Sequence, residues 1–131
     1  MKPRDCVLAA GHLQPPERVP VTPYAGNVAA RLTGTPVDRY CSSLQHLVSA
    51  QLEAQRMIGH DMVVAQSDGY YMAEGFGLST RQRDNDTPVP VRPLLDAVSD
   101  VSRLRTPDPL TDGRMPLYLE AVRVLRREVG D

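Results

Sequence analysis

Ser67 and Asp68 follow the apolar run Met62-Val63-Val64-Ala65 and precede Gly69. The C-terminal end of a strand is where barrels and open α/β sheets place their chemistry. A carboxylate there pairs with a developing cation or accepts from substrate N–H groups. Ser-Asp-Gly is also good turn chemistry, and by residue type alone the turn is the commoner role. Tyr70 and Tyr71 come next in the chain. They are placed to line a pocket beside Asp68 or to pack with their hydroxyls in water.

Other chemistries find less support. His12, His46 and His60 are separated by 34 and 14 residues, and no Cys or carboxylate completes a ligand set with them. No metal site is expected, and the histidines read as surface or partly buried side chains. No Gly-x-Ser-x-Gly elbow occurs, and Gly75-Phe76-Gly77 is too short for a phosphate-binding loop. Arg31 and Arg39 read as solvated loop charges rather than an anion site. Arg123, Arg126 and Arg127 suit the solvent face and last turn of a terminal helix.

The elements that must position Asp68 are legible from periodicity. Leu47, Ala50, Ala54, Met57 and Ile58 form one helical stripe over 43–58, with Ser42 and Gln45 as a capping box and Gly59 as the stop. Met62–Gln66 then reads as a strand covered on both faces. Tyr70 to Phe76 reads as a short helix. Leu78–Arg83 and Thr87–Arg92 read as a hairpin around Asp84-Asn85-Asp86, with prolines 88 and 90 marking an edge strand. Tyr118, Ala121, Val122, Leu125 and Val129 mark a second long helix over 112–129. Shorter helices are expected over 3–13, 26–32 and 96–104. Helix, glycine stop and apolar strand in succession are an α/β signature.

Composition bounds the reading. The chain has 131 residues and a net charge of −1, so there is no basic excess for nucleic acid or anionic lipid. No apolar run approaches the roughly 20 residues of a membrane span, and no secretory h-region follows Met1. Cys6 and Cys41 form no disulfide framework, so a reduced cytoplasmic compartment is the default. One apolar strand lacks ladder partners for its backbone. The hairpin, a partner chain or further polypeptide is expected to cover it.

Several segments, in this order, resemble the N-terminal part of the uroporphyrinogen decarboxylase superfamily, which also holds corrinoid-dependent methyltransferases. They are Pro16-Glu17-Arg18-Val19-Pro20-Val21, the long helix ending Ile58-Gly59-His60-Asp61, the strand through Gln66-Ser67-Asp68, and Ala73-Glu74-Gly75-Phe76-Gly77. The resemblance covers nearly the whole chain, and order and spacing carry it. It implies an α/β fold: the N-terminal fragment of a (β/α)8 TIM barrel, which needs about 250 residues. Residues 1–60 would be a helical lead-in. Residues 61–131 would hold the first strand, a β-hairpin insertion over 78–92 and the first major helix. The chain is thus expected to be a truncated protein or a fragment, catalytically inactive alone because a half barrel encloses no dry pocket.

In the decarboxylases the carboxylate of such a Ser-Asp pair holds the pyrrole N–H groups of a tetrapyrrole. The resemblance therefore implies Asp68 as the catalytic position; Tyr70, beside it, and Asn27 are expected as substrate-binding positions. The implied full-length activity is decarboxylation of a tetrapyrrole carboxylate in porphyrin biosynthesis, without a cofactor. The family's arginine-bearing Phe-Met-Arg-Gln-Ala-Gly-Arg-Tyr segment is replaced here by Pro23-Tyr24-Ala25-Gly26-Asn27-Val28. That departure favours the alternative, methyl transfer between a corrinoid and a thiol. Zinc and a corrinoid are expected only under that alternative, with ligands from a C-terminal half. The expected partner is a tetrapyrrole- or corrinoid-type small molecule, and the resemblance suggests a homodimer. A third reading is a non-catalytic interaction domain that completes its sheet with a partner.

Overall fold

The fold is that of a computed structural model describing residues 1–130. The helices are α1 (Pro3–Gly11), α2 (Gly26–Leu32), α3 (Val37–Ser42), α4 (Leu44–Ile58), α5 (Tyr70–Gly75) and α6 (Met115–Val129). Strands β1 (Thr80–Arg81) and β2 (Val89–Pro90) form a two-stranded antiparallel sheet, Thr80 opposite Pro90 and Arg81 opposite Val89. The 96–104 segment contains a 3₁₀ turn over Val98–Arg103. No helix of the described residues is long and apolar enough to cross a membrane.

Helix α4 forms as its periodicity predicts, but its cap is Ser43. The Ser43 hydroxyl accepts from the His46 N–H at 3.4 Å, while Ser42 donates to the Asp38 carbonyl within α3. The chain turns sharply at Ser43, so the expected Ser42–Gln45 capping box does not form. Gly59 ends the helix with φ 74°, a left-handed conformation that glycine adopts without a Cβ penalty.

The core lies where α4 packs against α2, α3 and α6. Tyr40, Leu47, Ala50, Tyr118, Ala121 and Leu125 meet there and are buried. Met57 and Ile58 are exposed, as are Val122 and Val129. Those apolar ends of the expected stripes stand outside the core. Val122 and Leu125 join Val7, Leu8, Met62 and Val63 around a groove of about 300 Å³ between α1, the 62–65 segment and α6.

The expected strand over Met62–Gln66 does not form: the segment has no regular secondary structure and belongs to no sheet among the described residues. Met62 is exposed and 63–66 are half-buried, so the segment is not covered on both faces as a central strand would be. Side chains replace a ladder there. Gln51 accepts from the Val64 N–H at 3.1 Å, and the Tyr40 hydroxyl donates to the Gln66 carbonyl at 2.9 Å. Helix α6 starts at Met115, not Asp112, because residues 108–114 form turns around Gly113.

Candidate functional site

Three pieces of chain converge on Asp68. The 62–66 segment delivers Ser67 and Asp68, α5 presents Glu74, and the residue before α6 is Arg114 itself. Gly113 permits the approach. Its φ is +56°, and a Cβ there would lie 2.8 Å from the Glu74 carbonyl carbon and the Gly75 nitrogen. Only a residue without a side chain brings the 112–114 turn this close to α5.

Asp68 is held on four sides. Its Oδ1 accepts from the Tyr70 N–H at 2.9 Å and from Arg114 Nη2 at 3.0 Å. Its Oδ2 accepts from the Ser67 hydroxyl at 2.6 Å and from Arg114 Nη1 at 2.9 Å. The carboxylate therefore combines two roles in one geometry. It is a turn aspartate bonded two residues ahead, and one arm of a bidentate ion pair with a residue 46 positions away.

Arg114 is equally committed. Its Nε donates to Glu74 Oε2 at 2.6 Å and its Nη2 to Glu74 Oε1 at 2.9 Å. Its Nη1 also donates to the Cys41 carbonyl at 3.1 Å and the Tyr118 hydroxyl at 3.2 Å. The side chains of Asp68, Glu74 and Arg114 are 3%, 10% and 19% exposed, so water screens these charges little. Behind them the Ser67 and Tyr118 hydroxyls share a hydrogen bond, and the Tyr71 and Tyr118 rings lie 4.1 Å apart.

The electrostatics follow from this closure. Burial raises the Asp68 pKa, but the bonds from Arg114, Ser67 and Tyr70 outweigh it and leave it below the ordinary aspartate value. Burial works against the Arg114 charge, yet Asp68 and Glu74 hold its pKa above normal. Burial pushes the Tyr118 hydroxyl and the Cys41 thiol upward, so neither is an activated nucleophile. Two carboxylates around one guanidinium leave the cluster with one net negative charge. Such a site suits a cationic group or N–H donors. A ligand N–H reaches Asp68 only by displacing one of its four donors.

The other expected positions are less central. Tyr70 meets Asp68 through its backbone N–H, and the residue is exposed. Asn27 lies on α2, where its Oδ1 accepts from the Cys41 thiol at 4.0 Å; it adjoins the cluster through Cys41. Arg31 and Arg39 are exposed. His12 and His46 are exposed, but His60 is buried, with no hydrogen-bond partner for either ring nitrogen among the described residues. No group of three or more His, Cys, Asp or Glu among the described residues is placed to hold a metal ion.

Sequence reasoning missed Arg114 and gave Tyr118 only a packing role. One signal was available. A cation at the start of a helix opposes the macrodipole, so an arginine there needs a local anion.

A family model, uroporphyrinogen decarboxylase (URO-D), matches residues 2–131. The chain belongs to the URO-D family. A curated relative, the uroporphyrinogen decarboxylase of Carboxydothermus hydrogenoformans, is 32% identical over 90 residues, 69% of this chain. The match of this URO-D chain spans 25% of the relative's own length. A solved methyltransferase from Methanosarcina mazei superposes with a TM-score of 0.82 at 21% identity, covering 100% of this chain and 40% of that one. The likeness shows an α/β fold shared with part of that structure. Within this URO-D chain, helices predominate beside one two-stranded sheet among the described residues.

Proposed function

We propose that this chain forms the N-terminal part of the substrate site of a URO-D enzyme that acts on a tetrapyrrole. The full-length reaction is decarboxylation of a tetrapyrrole carboxylate, with Asp68 as the anchoring anion. One observation carries the reading: the buried side chains of the Ser67–Asp68 pair follow the 62–66 segment directly and lie inside a cluster of net negative charge. A protonated pyrrole ring formed during decarboxylation gains most from a fixed anion in a poorly hydrated site. The curated relative is a decarboxylase by name, which supports the same reading.

A second reading, methyl transfer between a corrinoid and a thiol, is favoured by one feature. Pro23–Val28 brings no arginine near Asp68 to bind substrate carboxylates. Among the described residues no group of three or more His, Cys, Asp or Glu is placed to hold the zinc of that chemistry. Cys6 and Cys41 are both buried.

Uroporphyrinogen binding and turnover by the full-length protein, compared with Asp68→Asn, separate the readings. The decarboxylase reading expects turnover that the variant loses. Full-length protein that neither binds nor decarboxylates uroporphyrinogen overturns it.

A further inference from the structure

Arg114 occupies two of the four acceptor positions of Asp68 and both oxygens of Glu74. The other two donors to Asp68 come from adjoining chain, the Ser67 hydroxyl and the Tyr70 N–H. They fix the carboxylate locally but bring no charge. Arg114 alone brings a charge, and it comes from 46 residues along the chain, next to the Gly113 turn that touches α5.

We propose that Arg114 is a positioning residue for Asp68, and that Glu74 sets how strongly it acts by competing for the same guanidinium. The proposal rests on the reading of Asp68 as the anchoring anion and deepens it. With Arg114 divided between two carboxylates, Asp68 is oriented and kept charged without being fully neutralised. Were Glu74 uncharged, Arg114 would cancel Asp68 outright. Were Arg114 absent, two buried acids would face each other, and Asp68 would take up a proton at higher pH.

The two acids and the arginine thus have opposite, testable effects. In the full-length protein, the ¹³C signal of the Asp68 carboxylate is followed against pH in wild type, Arg114→Gln and Glu74→Gln. Arg114→Gln is expected to raise the Asp68 midpoint and Glu74→Gln to lower it. Uroporphyrinogen affinity of Arg114→Gln should fall about tenfold per pH unit below the raised midpoint, where wild-type affinity stays flat. Arg114→Lys should restore part of the shift. A merely structural role for Arg114 lowers stability without moving the two midpoints in opposite directions. Midpoints that agree in all three proteins, or that shift in the same sense in both variants, overturn the proposal. Glu74→Gln retains the Arg114–Asp68 pair, so its midpoint decides the question even if Arg114→Gln does not fold. If Asp68→Asn binds uroporphyrinogen as wild type does, the anchoring reading fails, while the opposed midpoint shifts still report whether Arg114 positions Asp68.

Discussion

The Gln51 side-chain carbonyl accepts the Val64 N–H at 3.1 Å, and the same amide donates to the Ala25 carbonyl and the Tyr40 hydroxyl at 2.8 and 2.7 Å. One buried glutamine on α4 thus ties α2, α3 and the segment leading to Asp68. The 62–66 segment has no strand beside it among the described residues, so Gln51 provides a hydrogen bond that a sheet would normally give. The placement of Asp68 therefore depends on a polar residue inside a helix core.

Gln51→Leu should be costly. The substitution keeps the volume roughly constant and strands the Ala25 carbonyl and the Val64 N–H. An unsatisfied buried group costs about 1–3 kcal/mol, so a loss of about 3 kcal/mol is expected. Urea unfolding checks it, and a variant within about 0.5 kcal/mol of wild type would show that the amide is dispensable.

The parts of the fold that follow a local period are legible in the sequence. Helix α4 and the body of α6 follow the 3.6-residue repeat, and Gly59 ends α4 as its conformational freedom dictates. The strand expected over Met62–Gln66 is not formed among the described residues. An apolar run looks the same whether or not a sheet lies on its second face. The carboxylate at Asp68 is legible from its place after that run. Its partner Arg114 is not, since 46 residues separate them and a turn of unforeseen shape joins them. Asp112 reads as the first residue of a helix. Gly113, the reason the turn packs against α5, carries no periodic signal.

Stability should fall in two stages as the pH is lowered. Burial lowers the His60 pKa, partly offset by Asp61. The unfolded chain therefore takes up a proton below about pH 6.5 that the folded chain refuses. The folded state loses stability as pH drops from there toward the depressed His60 value. The second stage belongs to two aspartates. Arg18 and the Val21 N–H hold Asp61 at about 2, and Asp68 also lies below the ordinary 3.8. Their contributions are full above that value and are lost as pH falls through the folded pKa values. Melting temperatures from pH 8 to 2 check both stages. His60→Phe should flatten the first and leave the second; Arg18→Ala should shrink the second.

Neither thiol should react in the native protein. Cys6 and Cys41 are fully buried, and burial holds the Cys41 thiol in its protonated form. Ellman's reagent is expected to modify neither under native conditions and both in denaturant. Rapid native labelling of Cys41 would mean that the α2–α3 packing beside the Arg114 cluster opens readily. Asn27 would then be freer to meet a ligand than its contact with Cys41 indicates.

Gly113→Ala should affect the site more than its distance from Asp68 suggests. A Cβ would meet the Glu74 and Gly75 backbone at 2.8 Å, and φ of +56° is unfavourable for alanine. Neither neighbour is the end of a flexible side chain, so the 112–114 turn must move away from α5. A cost of about 1–3 kcal/mol is expected. Moving the turn also withdraws Arg114 from both Glu74 and Asp68. The variant should thus raise the Asp68 titration midpoint, as Arg114→Gln does, although no charge has changed. Asp112→Ala is the control. It removes the bonds from Arg105 and the Asp108 N–H within the preceding turn but leaves Gly113 against α5. If Gly113→Ala lowers stability and leaves the Asp68 midpoint in place, the arginine reaches its partners without the close approach.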